Sequence, residues 1–172
     1  MTLTQKELKE LLLYNPDTGN FHWKKARKRV KAGAVTGTLR KDSGCIIITL
    51  NHKVYQAHRL AWLYLFGHWP KGIIDHINHN QADNRASNLR DVTILESGKN
   101  KSFRKDNTSG YVGVTWHKGL NKWAAGIMVE GKQIHLGYFT NIKDAAKVRK
   151  TAEHKYGFHK NHGMNTGRTG VK

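Results

Sequence analysis

The chain has 172 residues, a single cysteine and a formal net charge of +18 at pH 7, from 30 Lys and Arg residues against 12 Asp and Glu residues. One cysteine excludes an internal disulfide and a zinc site made of several cysteines, which favours a reducing compartment. A positive excess of this size repels itself unless an anionic partner is present, so it predicts a nucleic-acid partner, with a membrane surface as the weaker alternative.

The first predicted element is a helix over residues 3–14. Thr4 and Glu7 have the spacing of a capping box, in which each side chain bonds the backbone of the other residue. The turn-forming residues at 15–20 are expected to end this helix.

A basic region follows, in which strands flank a loop. Segments 21–25 and 45–50 have the pattern of strands, and a turn after the second returns the chain in a hairpin. The loop at 24–33 is strongly basic, which is typical either of a solvated surface or of one that contacts phosphate. Three of its cations are candidate DNA contacts: Arg27, Lys28 and Arg29.

A stretch near the middle of the chain places a carboxylate and an imidazole side by side. An apolar helix is predicted at 58–66, followed by a short strand at 73–74 that leads into Asp75 and His76. A polar loop then leads to a helix predicted over 94–103.

This pair of side chains suits phosphodiester cleavage, which needs an activated water and a centre that neutralises charge on the phosphate. A hard divalent cation, Mg²⁺ or Mn²⁺, can do the second task and prefers oxygen ligands such as Asp75. An imidazole such as His76 can activate the water. Both side chains reach one phosphate only if the strand ends there, because side chains alternate along a strand.

The stretch resembles the HNH endonuclease family, and its phage and intron homing branch in particular. The segments that carry the resemblance are AHRLAWLY at 57–64, DHIN at 75–78, DNR at 83–85 and NLRDVT at 88–93. The resemblance implies a β-β-α-metal fold, with Asp75 as metal ligand and His76 as general base. It also implies that Asn88 ties the loop to the strand and keeps the base oriented.

One position departs from the family pattern. The resemblance implies a second metal ligand, Asn or His, on the closing helix, and this chain has Ser97 at that position. Asn100, one turn further along the predicted helix, is an alternative ligand, and so is a water that bridges Ser97 to the ion. A weakened metal site or an inactive variant is therefore an alternative to a working nuclease.

Other polar residues of this stretch have simpler interpretations. His58 is interpreted as a packing residue, His79 as a loop residue and Asn84 as a turn residue that stabilises the loop. A zinc site at His76 and His79 is not expected, because no further ligands stand at a recognised spacing.

The second half of the chain has a different pattern, with strands predicted at 111–117, 122–131 and 132–139 and a helix capped by Asn141. Residues 109–158 resemble the APETALA-two or ethylene-response-factor type of DNA-binding domain. The matching segments are GV at 113–114, KWAA at 122–125, LGYF at 136–139 and DAA at 144–146. The resemblance implies a three-stranded sheet that lies in the major groove of double-stranded DNA.

Alternation along these strands separates a core face from a face toward DNA. His135 lies between two apolar residues, so we expect His135 and Gln133 to point away from the core. The candidate DNA contacts are Thr115, His117, Lys118, Lys122, Gln133 and His135. Trp116 and Trp123 are interpreted as core or edge residues, with base-step contacts as the alternative.

Together these patterns predict an α+β chain, in which a β-β-α-metal (HNH) nuclease module is followed by a three-stranded antiparallel sheet packed on one helix. The predicted limits are 1–57 for an N-terminal basic region with a helix and a hairpin, 58–103 for the nuclease core, 104–109 for a linker, 110–158 for the DNA-binding domain and 159–172 for a tail without structure.

The predicted function is a metal-dependent HNH homing endonuclease that nicks or breaks double-stranded DNA at a site selected by the second module. The alternatives are a DNA-binding regulator that has lost cleavage and a basic RNA-binding accessory protein. The chain has no apolar signal core and no apolar run of about 18 residues. We therefore expect a soluble protein, located in the cytoplasm of a bacterial host cell if a phage encodes it. The sequence does not determine the oligomeric state, and a monomer is the default.

Overall fold

The computed structural model describes residues 2–102, 104 and 106–164. The chain divides into two compact units, Met1–Ile94 and Leu95–Lys172. Across the described ranges, every helix is too short or too polar to span a bilayer.

The first unit consists of small antiparallel sheets around two helices. Its elements are α1 (Gln5–Leu11), β1 (Leu12–Tyr14), β2 (Phe21–Trp23), β3 (Val35–Thr36), β4 (Thr38–Leu39), β5 (Ile46–Leu50), β6 (Lys53–Gln56), α2 (Ala57–Phe66), β7 (Ile73–His76) and β8 (Leu89–Val92). The strands pair in the orders β1-β2-β3, β4-β5-β6 and β7-β8, and each pair is antiparallel.

Helix α1 begins as the sequence predicts but ends earlier. The capping box is present, because the Thr4 hydroxyl accepts from the Glu7 backbone N–H and the Glu7 carboxylate accepts from the Thr4 backbone N–H. The prediction of a helix to residue 14 was wrong, since residues 12–14 form β1. Leu12 and Tyr14 are buried there with an exposed residue between them, which is the alternation of a strand.

One apolar core holds the first unit together and positions the β7-β8 ribbon. Helix α2 forms where the sequence predicts it, and it buries Leu60, Ala61 and Leu63 in this core. Ile74 of β7 and Leu89 of β8 belong to the same core. One face of the ribbon is therefore fixed by packing, which leaves its other face to carry polar side chains.

The second unit is a three-stranded sheet packed on a helix, as predicted. Its elements are α3 (Ile94–Gly98), which begins at the division between the units, β9 (Val114–His117), β10 (Lys122–Val129), β11 (Lys132–Phe139) and α4 (Ile142–Lys155). The strands lie in the order β11-β10-β9 and are antiparallel. The Asn141 side chain caps α4 by accepting from the Lys143 N–H at 2.8 Å. The core of this unit forms around Val114, Ala125 and Ala145.

The helix predicted over 94–103 is shorter in the structure. Helix α3 ends at Gly98, and the N–H groups of Lys99 and Asn100 bond the carbonyls three residues earlier, each at 3.0 Å. Glycine favours the end of a helix, and three-residue bonds are typical of a final tight turn. Phe103, the predicted last residue, lies outside the described residues.

Part of the predicted tail is ordered. The His159 N–H donates to the Lys99 carbonyl at 3.0 Å, and the Gly163 N–H donates to the Lys101 carbonyl at 2.8 Å. The prediction of no structure was therefore wrong for residues 159–164, because these backbone groups find partners in the segment after α3. Residues 165–172 lie outside the described residues.

The predicted linker at 104–109 falls within the second unit. Arg104 forms an ion pair with Asp106 there, and the Asn107 side chain bonds the backbone of residues 110 and 111. The other predicted domain limits stay predictions.

Candidate active site

Strand β7 does not end before the carboxylate and the imidazole. Asp75 lies opposite Arg90 of β8, and His76 lies opposite Leu89, so the ladder continues through both residues. Consecutive side chains of a strand leave on opposite faces. His76 is accordingly buried on the core face, whereas Asp75 is half-buried on the other face. The strand ends at His76 itself, so the pair occupies the last two positions of β7 rather than the residues after it.

The His76 ring is held by two neighbours in the core. Its Nε2 atom is 3.2 Å from Asn84 Oδ1, and its ring meets the His58 ring edge to face at a centroid distance of 5.0 Å. An amide oxygen only accepts, so Nε2 carries the hydrogen and the lone pair of the neutral ring lies on Nδ1. Burial lowers the pKa of His76, and the bond to Asn84 opposes this change in part. The neutral form can accept a proton.

His58 is also a buried, neutral histidine. Burial is the main cause that lowers its pKa to about 4, with smaller contributions from the charges of His76 and Arg59. It is a packing residue, as the sequence indicated, but the ring it packs against is His76. No spacing in the sequence connects these two histidines.

Asn84 is a buried residue whose contacts go beyond those of a turn residue. Its side chain is 1% exposed, and its backbone carbonyl accepts from the Tyr14 hydroxyl at 2.6 Å. Burial and nearby acidic charges raise the pKa of Tyr14 to about 12, so this hydroxyl keeps its proton at neutral pH. A Cβ at Gly19 would come within 2.5 Å of the Asn84 backbone. Gly19 therefore lies directly against the Asn84 backbone. In the sequence, only the place of Asn84 in the segment DNR at 83–85 indicated a role in the site.

Asn88 connects β8 to the polar loop. Its Oδ1 accepts from the Asn78 N–H at 2.9 Å, and its Nδ2 donates to Asn78 Oδ1 at 3.0 Å and to the Asp83 carbonyl at 2.8 Å. Asn78 also donates to the Asp83 carboxylate at 2.7 Å. The asparagine side chains thus form hydrogen bonds with backbone groups of the loop that lie outside the β-ladder. The contacts are those expected of a residue that holds this loop against the ribbon.

Asp75 already accepts one cationic group. Arg90 Nε and Nη2 lie 2.8 and 2.6 Å from Asp75 Oδ2. Within the described ranges, no cluster of three or more His, Cys, Asp or Glu side chains could hold a metal ion. Mg²⁺ in nucleic-acid enzymes commonly uses one or two carboxylates, substrate phosphates and water. Asp75 supplies a hard oxygen ligand, and its carboxylate already pairs with the positive charge of Arg90. It therefore fits an ion of that kind.

The other two candidate ligands lie in the second unit. Ser97 is part of α3, and Asn100, which follows the end of this helix, is 2% exposed. Their contribution to a metal site stays a prediction.

The basic loop forms a tight turn. Arg27 and Val30 pair through two backbone bonds, and Arg29 has a positive φ of 65° between them. Lys28 and Arg29 are exposed at its tip. The Arg27 guanidinium carbon lies 4.1 Å from the centre of the Trp23 ring, a cation–π contact. All three candidates are exposed, and Arg27 in addition lies over the Trp23 ring.

Most of the predicted DNA contacts of the second unit share the face of the sheet that is turned away from its core, which we call the outer face. Lys122 is an outward residue of β10, and four further candidates lie opposite outward residues of this strand: Thr115, His117, Gln133 and His135. All five side chains are exposed. Lys118 lies in the short turn after β9.

Tyr138 also belongs to the outer face, although it is not among the contacts that the sequence predicts. Strand β11 has a bulge, in which Leu136 has no opposite residue on β10 and Gly137 has a φ of 132°. The bulge shifts the alternation, so Tyr138 points outward with His135, and their ring centroids are 4.4 Å apart. Tyr138 also meets His117 at 5.4 Å. Glycine inside a strand was the available signal for such a bulge.

The two tryptophans form a pair between the edge strand β9 and the central strand β10. Trp116 and Trp123 meet at a centroid distance of 5.0 Å, and Trp123 packs against the core of the second unit. This agrees with their interpretation as core and edge residues.

Comparisons with known proteins point to the same part of the chain. Residues 55–99 match the family described as HNH endonuclease. The chain is also similar to Protein 3.8 of Escherichia phage T7, with 31% identity over 107 residues that cover 62% of this chain and 88% of the relative. No solved structure matches the chain. The matched residues include α2, the β7-β8 ribbon and the loop between its strands, so the chain contains an HNH endonuclease domain at residues 55–99.

Proposed function

We propose that the chain is a metal-dependent DNA endonuclease of the homing type, which cleaves double-stranded DNA at a site chosen by its second unit. The observation that carries this proposal is His76, a neutral imidazole held by Asn84 and His58 inside the HNH domain. A buried, oriented and neutral imidazole is the form that a general base requires.

His76 is the proposed general base. Its Nδ1 lone pair takes a proton from a water molecule, the resulting hydroxide attacks phosphorus, and the bond to the leaving 3′ oxygen breaks. The Nε2 hydrogen bond to Asn84 keeps the ring from turning during this step. The charges of Asp75 and Asp83 favour the imidazolium that forms.

Asp75 is the proposed protein ligand for Mg²⁺ or Mn²⁺, with Ser97 or Asn100 as a further ligand. A bound divalent ion supplies neutralisation of the charge that develops on the phosphate and the leaving oxygen. Asp75 and His76 lie on opposite faces of β7, so a substitution at one leaves the packing of the other in place. The two roles can therefore be tested separately.

The second unit, with a proposed domain at 110–158, is the proposed reader of the DNA sequence. An antiparallel sheet fits the width of the major groove, and the outer face presents aromatic and polar side chains. The aromatic contacts of Tyr138 with His117 and His135 support this proposal, as do the exposed lysines at 118 and 122. In the first unit, Lys28 and Arg29 are proposed to contact phosphate, which positions the duplex without reading its sequence.

The test is cleavage of supercoiled plasmid that carries the gene's own genomic neighbourhood, with Mg²⁺, with Mn²⁺ and with EDTA. We expect open circles with either metal and none with EDTA. His76→Ala should abolish nicking while the affinity for duplex DNA is retained, and the exposed His68→Ala serves as the matched control. Nicking by His76→Ala at the native rate would contradict its role as the base.

A DNA-binding regulator that has lost cleavage is the second candidate, and Ser97 is the residue that favours it. The hydroxyl of serine is shorter and a weaker ligand than the amide carbonyl that the family resemblance implies at this position. Ser97→Asn separates the two functions. If only this variant cuts the plasmid, the native chain is a binder; if both cut, Ser97 or Asn100 suffices.

A further inference from the structure

We propose that Arg90 keeps the Asp75 carboxylate closed to divalent cations until a DNA phosphate takes over its guanidinium group. This inference rests on the proposed function, because it concerns how Asp75 becomes available to an ion. If Arg90 acts in this way, the chain binds a divalent ion tightly only when DNA is bound.

The Arg90–Asp75 contact is built into the ribbon rather than into a flexible loop. The two residues lie directly opposite each other on β7 and β8, and two guanidinium N–H groups donate to the same carboxylate oxygen, at 2.8 and 2.6 Å. By contrast, Arg85 and Asp83 are two positions apart in one loop. The paired strands therefore hold the guanidinium against Asp75 in the absence of any ligand.

The Arg90 side chain is more exposed to solvent than the Asp75 side chain, as expected if Arg90 covers Asp75 and can itself reach a phosphate. The Arg90 side chain is 31% exposed, whereas the Asp75 side chain is 12% exposed. A second cation at the covered carboxylate meets repulsion from the guanidinium a few ångströms away, and Mg²⁺ gives up its own water reluctantly. The ion alone is thus a poor competitor for Asp75.

A phosphate group is a good competitor for Arg90. Guanidinium groups bind phosphate through two parallel N–H bonds, and phosphate recognition is a common use of arginine. Once Arg90 turns to a phosphate, Asp75 loses the positive charge of the guanidinium group, and its carboxylate attracts a divalent ion more strongly. Because such coupling is reciprocal, the ion in turn strengthens the binding of DNA by the same factor.

The experiment measures Mn²⁺ binding to the full chain without DNA, from the paramagnetic resonance signal of free Mn²⁺. We expect Arg90→Gln to bind Mn²⁺ at least about tenfold more tightly than the native chain, within the usual range of coupling between sites. Adding Asp75→Asn to Arg90→Gln should remove the gain. Arg85→Gln is the matched control, because it breaks a similar pair at Asp83 and should leave Mn²⁺ affinity unchanged.

Two further arms make the result decisive. Arg90→Met keeps the length of the side chain without its charge and should reproduce the gain of Arg90→Gln, which guards against a folding defect in one variant. A short duplex, with Mn²⁺ binding by the duplex alone subtracted, should raise the Mn²⁺ affinity of the native chain and raise that of Arg90→Gln less.

Unchanged Mn²⁺ affinity in both Arg90 variants overturns the inference, and so does a native affinity that DNA leaves unchanged. If the native chain nicks plasmid while the Arg90 variants bind Mn²⁺ like the native chain, the nuclease proposal stands and this inference fails. If the Arg90 variants gain affinity but no form of the chain nicks, the inference is supported and the nuclease proposal fails.

Discussion

The ring of His58 stands perpendicular to the ring of His76, with an interplanar angle of 89°. Both rings lie in the core of the first unit and both are neutral at pH 7. His58 is therefore more than a packing residue, because its ring contacts the His76 ring and helps to hold the proposed base in place.

The first prediction concerns stability in acid. The folded pKa of His58 is about 4, below the ordinary value of 6.5 for an unfolded chain, so the unfolded state binds a proton first as pH falls. Stability is then fully present above pH 6.5 and is lost between pH 6.5 and about 4, by on the order of 3 kcal/mol. His58→Leu should remove this part of the pH dependence.

Urea unfolding of both proteins across this pH range measures the effect. The exposed His68→Leu is the control and should follow the native curve. A His58→Leu curve with the native slope would show that another group causes the loss of stability.

The second prediction concerns Asn84, a positioning residue that acts through His76. Asn84→Leu is close in size but cannot accept the Nε2 hydrogen, so the ring loses the hydrogen bond that fixes its orientation on this side. We expect the turnover rate for nicking to fall by about 10- to 100-fold, because small errors in the geometry of a base are costly. The affinity for DNA should be unchanged.

Single-turnover nicking and DNA binding, measured on the same folded preparation, test this expectation. Asn80→Leu, in the exposed part of the same loop, is the control and should keep the native turnover rate. An Asn84→Leu protein that binds less DNA but turns over normally contradicts a positioning role.

The sequence predicted the local elements better than the site. The cap at Asn141 and the capping box of Thr4 and Glu7 are signals between neighbouring residues, and both are present in the structure. The contacts of His76 with His58 and Asn84 join residues that only the folded core brings together, so no periodicity reveals them. Strand β1 was missed because a run of leucines fits a helix as well as a strand.

The third prediction concerns the outer face of the sheet. Tyr138 is 44% exposed, so Tyr138→Ala should leave the free energy of unfolding nearly unchanged. If the outer face reads DNA, this variant should lower the affinity for the cleaved site by roughly 5- to 20-fold, from the loss of about 1 to 2 kcal/mol of aromatic contact.

Affinity for the cleaved site and for unrelated duplex should be measured together. Tyr111→Ala removes a tyrosine of similar exposure, 39%, that lies outside the strands, and it should have no such effect. Equal affinity of the native chain and Tyr138→Ala for the cleaved site would speak against DNA reading by this face.

The fourth prediction compares two glycines that both have positive φ. A Cβ at Gly113, where φ is 68°, would lie 2.4 Å from the Gly126 carbonyl oxygen and 2.4 Å from Arg149 Nε, whereas a Cβ at Gly131, where φ is 79°, would meet nothing within 4 Å. Gly131→Ala should therefore cost about 1 kcal/mol, from backbone strain alone. Gly113→Ala should cost more than about 2 kcal/mol, because a backbone oxygen must also move.

Thermal unfolding of the two variants gives the comparison directly. Similar melting temperatures for Gly113→Ala and Gly131→Ala would mean that the contact with the Gly126 carbonyl relaxes at little cost.

The bulge in β11 has a consequence for how the chain length can vary in related proteins. Because Leu136 has no opposite residue, a chain with one residue fewer between His135 and Tyr138 can form a regular strand that still presents both side chains on the same face. The same deletion elsewhere in β11 would move one part of the strand by a single position and exchange inward for outward side chains. The loss of one residue should therefore be tolerated at this place in the strand, and a gap of one residue there in an alignment would leave the outer face intact.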